Sequence, residues 1–235
     1  MEIGGLPAVM FVAKRARFGG MTPYIFTSTD PSDDAIADLA SSNGLPCFRG
    51  DLLNKVKRWT DGFNEFELSS GHLVDVDDPF FDPASCVESF RQLTSHSEIG
   101  VLLPPTDSDG GEAYVGTSVR LNTLEAASSR AMEIGITHLD VVPWRQLVDE
   151  GVVVTFANRE GAGNEARFRL TLDYQEDYDL LSYLGGIFPF SSSRSDLESF
   201  LLENKKLTEI NMFRNEDFHK NKIKVLKTQL RKMGR

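Results

Sequence analysis

The chain has 235 residues, with 25 Lys and Arg against 35 Asp and Glu, giving a formal charge of −10. Its 40% apolar share, before glycine is counted, suits a globular chain with a sizeable core and excludes disorder and fibre. The acidic balance argues against nucleic acid or an anionic membrane as the main partner. No stretch reaches the ~20 apolar residues of a membrane span and no leader pattern opens the chain, so a cytoplasmic protein is expected.

Pro7 followed by Val9, Met10, Val12 and Ala13, with Gly19-Gly20 behind, predicts a helix over 7–18. Residues 23–28 (PYIFTS) read as a buried strand, Asp30-Pro31 opens an N-capped helix ending at Gly44, and 45–48 (LPCF) is a second short strand. A helix from Asp51 to about Phe66 places Leu52, Leu53, Val56, Trp59 and Phe63 on one face, followed by a strand at 72–76 and a helix from Pro83 to Ser95. Next come a strand at 98–104, a turn-rich loop at 106–112, a strand at 113–121 and a helix over 122–135. Residues 152–158 and 167–173 form a predicted hairpin around the loop 159–166, with Gly161–Gly163 at its tip. Helices over 174–187, 195–203 and 214–233 close the chain, the last with Ile223, Leu226, Leu230 and Met233 on one stripe. Strands separated by helices imply a three-layer, doubly wound, mostly parallel α/β sheet over residues 1–190, with a helical extension over 191–235. That extension is basic, residues 205–235 holding ten Lys and Arg against three Asp and Glu, and its amphipathic helix is expected to pack on the domain or on a second subunit as a homodimer.

The densest carboxylate group is DVDDPFFDP at 75–83, at the carboxyl end of a predicted strand, where ligands bind in open α/β sheets. Alternation puts Asp75 and Asp77 on one face. An EF-hand is excluded, since its sixth and twelfth positions, counted from Asp75, are Phe80 and Cys86. Asp82 fits better as the cap of the following helix. Asp173 closes a later strand, ahead of Glu176, Asp177 and Asp179, which are ordinary partners for a helix dipole. Two strand-end carboxylates far apart in sequence suit Mg²⁺, which takes one or two carboxylates plus water and phosphate oxygens. Phosphate would also need donors, and the candidates are Ser28 and Thr29 ahead of a helix N-terminus, Arg49 beside Gly50, and Lys55, Lys57 and Arg58. His72, His96, His138 and His219 lack metal-ligand spacing, and Cys47 and Cys86 read as buried thiols. Nucleophile elbow, Walker loop and dinucleotide fingerprint are absent.

The segment TSTDPSDDAIADLASSNGLPCFRGD at 27–51 resembles the sugar-activating nucleotidyltransferases of the spore-coat polysaccharide type, relatives of the acylneuraminate cytidylyltransferases within the nucleotide-diphospho-sugar transferases. VDVDDPFFDP at 74–83, RLTLDYQEDYDLL at 169–181 and LLENKKLTEIN at 201–211 are similar to further stretches of that family, and the likeness is vague over about 105–165. The resemblance implies a cytidylyltransferase that uses CTP and Mg²⁺ to activate a sugar, an acidic one, as its CMP derivative with release of pyrophosphate. On that resemblance Asp77 and Asp173 hold the metal, Arg49 and Arg58 contact nucleotide, and His138 lies near the sugar; Ser28 and Thr29 join the expected nucleotide contacts as donors ahead of a helix N-terminus. No individual catalytic residue is assigned. Val76 departs from the family's glycine before the first aspartate. The family also opens with a strand and an Arg/Gly/Ser-rich loop that wraps phosphates, whereas this sequence starts at EIGGLP, so a fragment, or a variant that binds without turnover, is expected. The alternatives are a non-catalytic nucleotide- or sugar-binding protein or scaffold, and a glycosyltransferase consuming a nucleotide sugar.

Overall fold

A computed structural model describes residues 1–104, 114–137, 144–156 and 168–232. Two short antiparallel strands, β1 (Glu2–Ile3) and β2 (Leu6–Pro7), lead into helix α1 (Ala8–Phe18). This helix is buried nearly all round. Phe11 packs with Ile3, Phe80 and Leu180, Val12 with Phe81, Leu93 and Leu102, and Val9, Met10 and Ala13 with Ala40 and Leu45. A helix with apolar residues on every side is stable only inside a domain, and α1 joins three of its core clusters.

Strand β3 (Ile25–Ser28) pairs in parallel with β4 (Cys47–Gly50), joined by a single 3₁₀ turn at Pro31–Asp33 and helix α2 (Asp34–Ser42). Asn54 caps α3 (Lys55–Glu65) by accepting from the Lys57 amide at 2.9 Å, so Leu52 and Leu53 lie ahead of the helix and are exposed, against expectation. Strand β5 (Ser70–Leu73) precedes α4 (Pro83–Ser95), whose cap is Asp82, accepting from the Ser85 amide at 3.0 Å. Strands β6 (Val101–Leu103), β7 (Thr117–Arg120) and β8 (Val153–Thr155) complete a sheet ordered β5-β7-β6-β8, with helix α5 (Leu121–Glu133) behind β7.

Among the described residues the expected single, mostly parallel sheet is replaced by three small ones. β7 runs antiparallel to both β5 and β6, and of the described pairs only β6–β8 and β3–β4 are parallel. An antiparallel neighbour needs no crossover of the length a parallel one does, so β7 can lie between β5 and β6. The expected hairpin is corrected too. Its first strand, β8, pairs with β6, and residues 168–173 form no ladder; the Leu172 amide instead donates to the Asp77 carbonyl at 2.8 Å.

The chain ends in α6 (Gln175–Ile187), α7 (Arg194–Glu203), a short α8 (Lys205–Thr208) and α9 (Arg214–Lys232). Leu197 and Leu201 of α7 join Leu180 and Leu184 of α6 in the core around Phe11 and Phe80. On α9 the stripe residue Ile223 is exposed; the side chains of Leu226, Leu230 and Met233 lie outside the described residues. Cys86 is buried and Cys47 only half-buried, both as free thiols. Among the described residues no helix is long and apolar enough to cross a membrane.

Candidate functional site

β5 ends at Leu73, earlier than the alternation predicts, so Asp75 and Asp77 sit in a turn closed by the Asp78 amide donating to the Asp75 carbonyl at 3.1 Å. They are not face-sharing strand residues. Asp75 is exposed and paired with Lys55 at 2.8 Å, Asp77 is half-buried and Asp78 is buried. The bond from Leu172 to the Asp77 carbonyl draws the 168–173 segment against this turn and brings Asp173 close enough to act on Asp77 electrostatically. The Asp77 carboxyl is pushed up to about 6, first by partial burial, then by the charges of Asp75 and Asp173, with Lys55 opposing.

Asp173 is held from below by an ion-pair network that the sequence did not disclose. Asp177, fully buried, accepts from Arg169 Nε and Nη2 at 2.8 Å each, from Asn211 Nδ2 at 2.9 Å, and from the Asp173 and Tyr174 amides at 3.0 Å. Arg169 also donates to Asp173 Oδ2 at 2.7 Å. Asp177 is thus the anchor of the turn that carries Asp173 rather than an ordinary dipole partner. The one sequence hint was Arg169 lying on the polar side of the alternating FRLTLD segment, four residues before Asp173. The Asp75–Asp78 turn is fixed at its other end by two further buried arginines. Arg15 Nε donates to the Phe81 carbonyl at 2.7 Å, and Arg194 Nη1 to the Phe80 carbonyl at 2.7 Å. Burial, helped by Arg194, brings the Arg15 pKa down to about 10. Nothing in the basic end of α1 signals that one of its arginines is interior.

Asp75 and Asp77 stand on the lip of a cleft of about 780 Å³ that Lys55, Arg58 and His72 also line. Lys55 and Arg58 are three residues apart on α3 and so share a face. Arg58 Nη1 donates to the Asp51 carbonyl at 2.8 Å, while its Nε is buried with no partner among the described residues. A buried orphan donor beside a cleft is a position where an anionic ligand gains most. The His72 ring is enclosed, with Nδ1 2.7 Å from Ser118 Oγ and Nε2 on the Val115 carbonyl. That carbonyl fixes Nε2 as the protonated nitrogen, and desolvation lowers the His72 pKa to about 4, so the ring is neutral.

The other expected nucleotide contacts are engaged elsewhere. The Ser28 amide and hydroxyl both donate to Asp33 Oδ2, at 2.9 and 2.5 Å, and Thr27 Oγ1 donates to the same oxygen at 2.9 Å. Asp33 thereby closes the end of β3 with this chain's own carboxylate. Arg49 donates to the Ser28 and Asp30 carbonyls at 2.9 and 3.0 Å and pairs with Asp34 at 2.6 Å, clamping the β3–α2 loop instead of lining the cleft. Thr29 is exposed, its amide spent on the Gly50 carbonyl at 2.9 Å. His138 lies outside the described residues.

Among the described residues no three His, Cys, Asp or Glu side chains form a ready-made metal cage. The pair Asp77 and Asp173 nonetheless fits the way Mg²⁺ is held on substrate phosphates. Both are hard oxygen donors, their mutual repulsion raises Asp77, and a dication would relieve it.

The fold is of the α/β class shared with nucleotidyltransferase structures, mostly helical with small mixed sheets. It is similar to a cytidylyltransferase from Leptospira borgpetersenii serovar Hardjo-bovis (strain JB197), with a TM-score of 0.75 and 19% identity over 88% of each chain. It is also similar to the molybdopterin-guanine dinucleotide biosynthesis protein A from Archaeoglobus fulgidus, with a TM-score of 0.54 and 16% identity over 78% of this chain and 88% of that one. At such identities the likeness speaks of fold alone. No family model and no curated protein matches the sequence.

Proposed function

We propose that this chain binds a nucleoside triphosphate, CTP first among them, at the Asp75–Asp77 lip, and that its chemistry is nucleotidyl transfer to a sugar, an acidic sugar on the sequence resemblance. The observation that carries this reading is the meeting of Asp77 and Asp173, nearly a hundred residues apart in sequence, beside Lys55 and an Arg58 Nε without a partner. The fold likeness to a cytidylyltransferase supports it. In such a reaction a sugar hydroxyl attacks the α-phosphorus and pyrophosphate leaves. Mg²⁺ on Asp77 and Asp173 would neutralise the charge building on the phosphate oxygens. Lys55 and Arg58 would orient the triphosphate, and Arg169 with Asp177 would hold Asp173 in place.

A second reading, binding without turnover, is favoured by one observation. The Ser28 amide, the donor that the end of β3 would offer a phosphate, is taken by Asp33. A glycosyltransferase consuming a nucleotide sugar is the other enzyme class that uses paired aspartates and a divalent metal.

Calorimetric titration with CTP, ATP and GTP, with and without Mg²⁺, tests the reading. Expected is Mg²⁺-dependent binding selective for CTP and weakened at least about tenfold by Asp77→Asn and by Asp173→Asn. Unchanged binding in both variants refutes the site. Pyrophosphate release on adding an acidic sugar separates transfer from mere binding, and glycosyl transfer from a nucleotide sugar would move the assignment to the third class.

A further inference from the structure

Among the described residues the Asp173 carboxylate bonds one side chain, Arg169, through Nη2 at 2.7 Å. The guanidinium is planar, so its direction is set by the groups on its edges and the rings over its faces. Nε and Nη2 go to Asp177, and Nη2 is shared between Asp177 and Asp173. The remaining edge belongs to the C-terminal helix, where Asn215 Oδ1 accepts from Nη1 at 3.3 Å. Tyr174 and Phe218 each place a ring centre 5.3 Å from the guanidinium carbon, within cation–π range. Asn215 and Phe218 stand three apart on α9 and so share a face.

That face is seated on the turn that carries Asp173. Arg214 takes both carboxylate oxygens of Glu176, at 2.8 and 2.9 Å, and lies over the Tyr174 ring at 4.9 Å. Asn221 Nδ2 donates to Tyr174 Oη at 3.2 Å. Just ahead of the helix the fully buried Asn211 donates to the Arg169 carbonyl at 2.8 Å and to Asp177 Oδ1 at 2.9 Å. Past this seat Asn221, Ile223 and Lys224 are exposed.

The Arg169 side chain is 2% exposed and that of Asp173 28%, so a cation can reach the carboxylate while the guanidinium stays behind it. Released from Asn215 and Phe218, the guanidinium would be free to turn onto Asp173 and take both its oxygens, a bidentate pair that a cation would have to displace. We propose that Asn215 and Phe218 are positioning residues for Asp173: through Arg169 they hold its carboxylate open to a divalent cation, which couples the seat of α9 to occupancy of the acidic site. The inference deepens the metal reading above and rests on it. By linkage the coupling runs both ways, a cation at Asp173 tightening α9 on the turn as much as α9 favours the cation.

Mn²⁺ is the probe, its affinity for the intact chain read from paramagnetic broadening of the Asp173 amide NMR signal. Phe218→Leu and Asn215→Ala should each weaken it about tenfold. Phe218→Tyr, which returns a ring to Arg169, should restore it, and Ile223→Ala, farther along the same helix, should match wild type. In Phe218→Leu the Asp173 and Tyr174 amides, both bonded to Asp177, should exchange faster, while that of Leu181, buried in the body of α6, should not. In wild type, where no variant is needed, saturating Mg²⁺ should slow exchange of the Phe218 and Lys220 amides about fivefold. Broadening that Phe218→Leu and Asn215→Ala leave unchanged, a loss that Phe218→Tyr does not restore, Leu181 loosening as much as Asp173, or α9 amides indifferent to Mg²⁺ in a chain that binds it would each overturn the inference and leave the metal reading standing. No broadening of the Asp173 amide in wild type would overturn the metal reading and this inference with it.

Discussion

Replacing Asp77 by asparagine should stabilise the free chain at neutral pH, the opposite of what removing a polar side chain from a structured turn normally does. The folded carboxyl titrates near 6, against about 3.9 in an unfolded chain. Between these values the folded state holds a proton that the unfolded state has released, so stability falls as pH rises through the window. The penalty is absent below about pH 4 and complete above about pH 6. Two units correspond to a ceiling of about 3 kcal/mol, and water at the half-exposed lip reduces this to about 1–2 kcal/mol. His72 acts with the opposite sign over nearly the same range, since its pKa falls from 6.5 to about 4 on folding, so the wild-type profile is flattened and only the difference between proteins isolates Asp77. The assay is urea unfolding of wild type and Asp77→Asn at half-unit steps from pH 4 to 7.5. A difference that opens between pH 4 and 6 and then stays level is expected. A variant less stable than wild type at pH 7.5, or a difference independent of pH, refutes the electrostatic account of the site.

Asp177→Asn removes the fully buried counter-ion of Arg169, leaving it the partly exposed Asp173, and should cost as much as about 3–5 kcal/mol in urea unfolding; a loss below about 1 kcal/mol would show that the network does not anchor the Asp173 turn. The His72 ring should show no imidazole NMR titration above about pH 5, and His72→Gln should remove a stability loss of as much as about 3 kcal/mol that develops in wild type as pH falls from 6.5 towards 4; a midpoint near 6.5 would place the ring in solvent. Arg58→Met should cost about 1 kcal/mol of stability through the lost bond to the Asp51 carbonyl, yet weaken nucleotide binding about tenfold in calorimetry; equal affinity in both proteins would remove Arg58 from the site. Gly116 has φ +68°, and a Cβ there would lie 2.2 Å from the Leu73 carbonyl oxygen, so Gly116→Ala should lower stability by about 2 kcal/mol or more in thermal unfolding; an unchanged midpoint would mean the β5–β7 contact yields freely.

Local rules in the sequence determined α1, the β3–α2–β4 unit, α4 with its Asp82 cap and α6, because each is written in periodicity and end signals within a dozen residues. They also singled out Asp77 and Asp173, since polar residues after an apolar run are visible without knowing what surrounds them, though both lie in turns and neither ends a strand. Everything that depends on which segments meet had to come from the tertiary structure. Whether β7 enters antiparallel between β5 and β6 is set by sheet neighbours distant in sequence. Whether Arg49 faces a ligand or clamps its own loop depends on carbonyls about twenty residues away, and the burial of Arg15 depends on loops 66 and more residues away. Asp177 reads as one more acid in a first helical turn until Arg169 and Asn211 close around it. A charged side chain has no intrinsic destination: its solvation, its partners and its pKa come from whatever the rest of the chain packs against it.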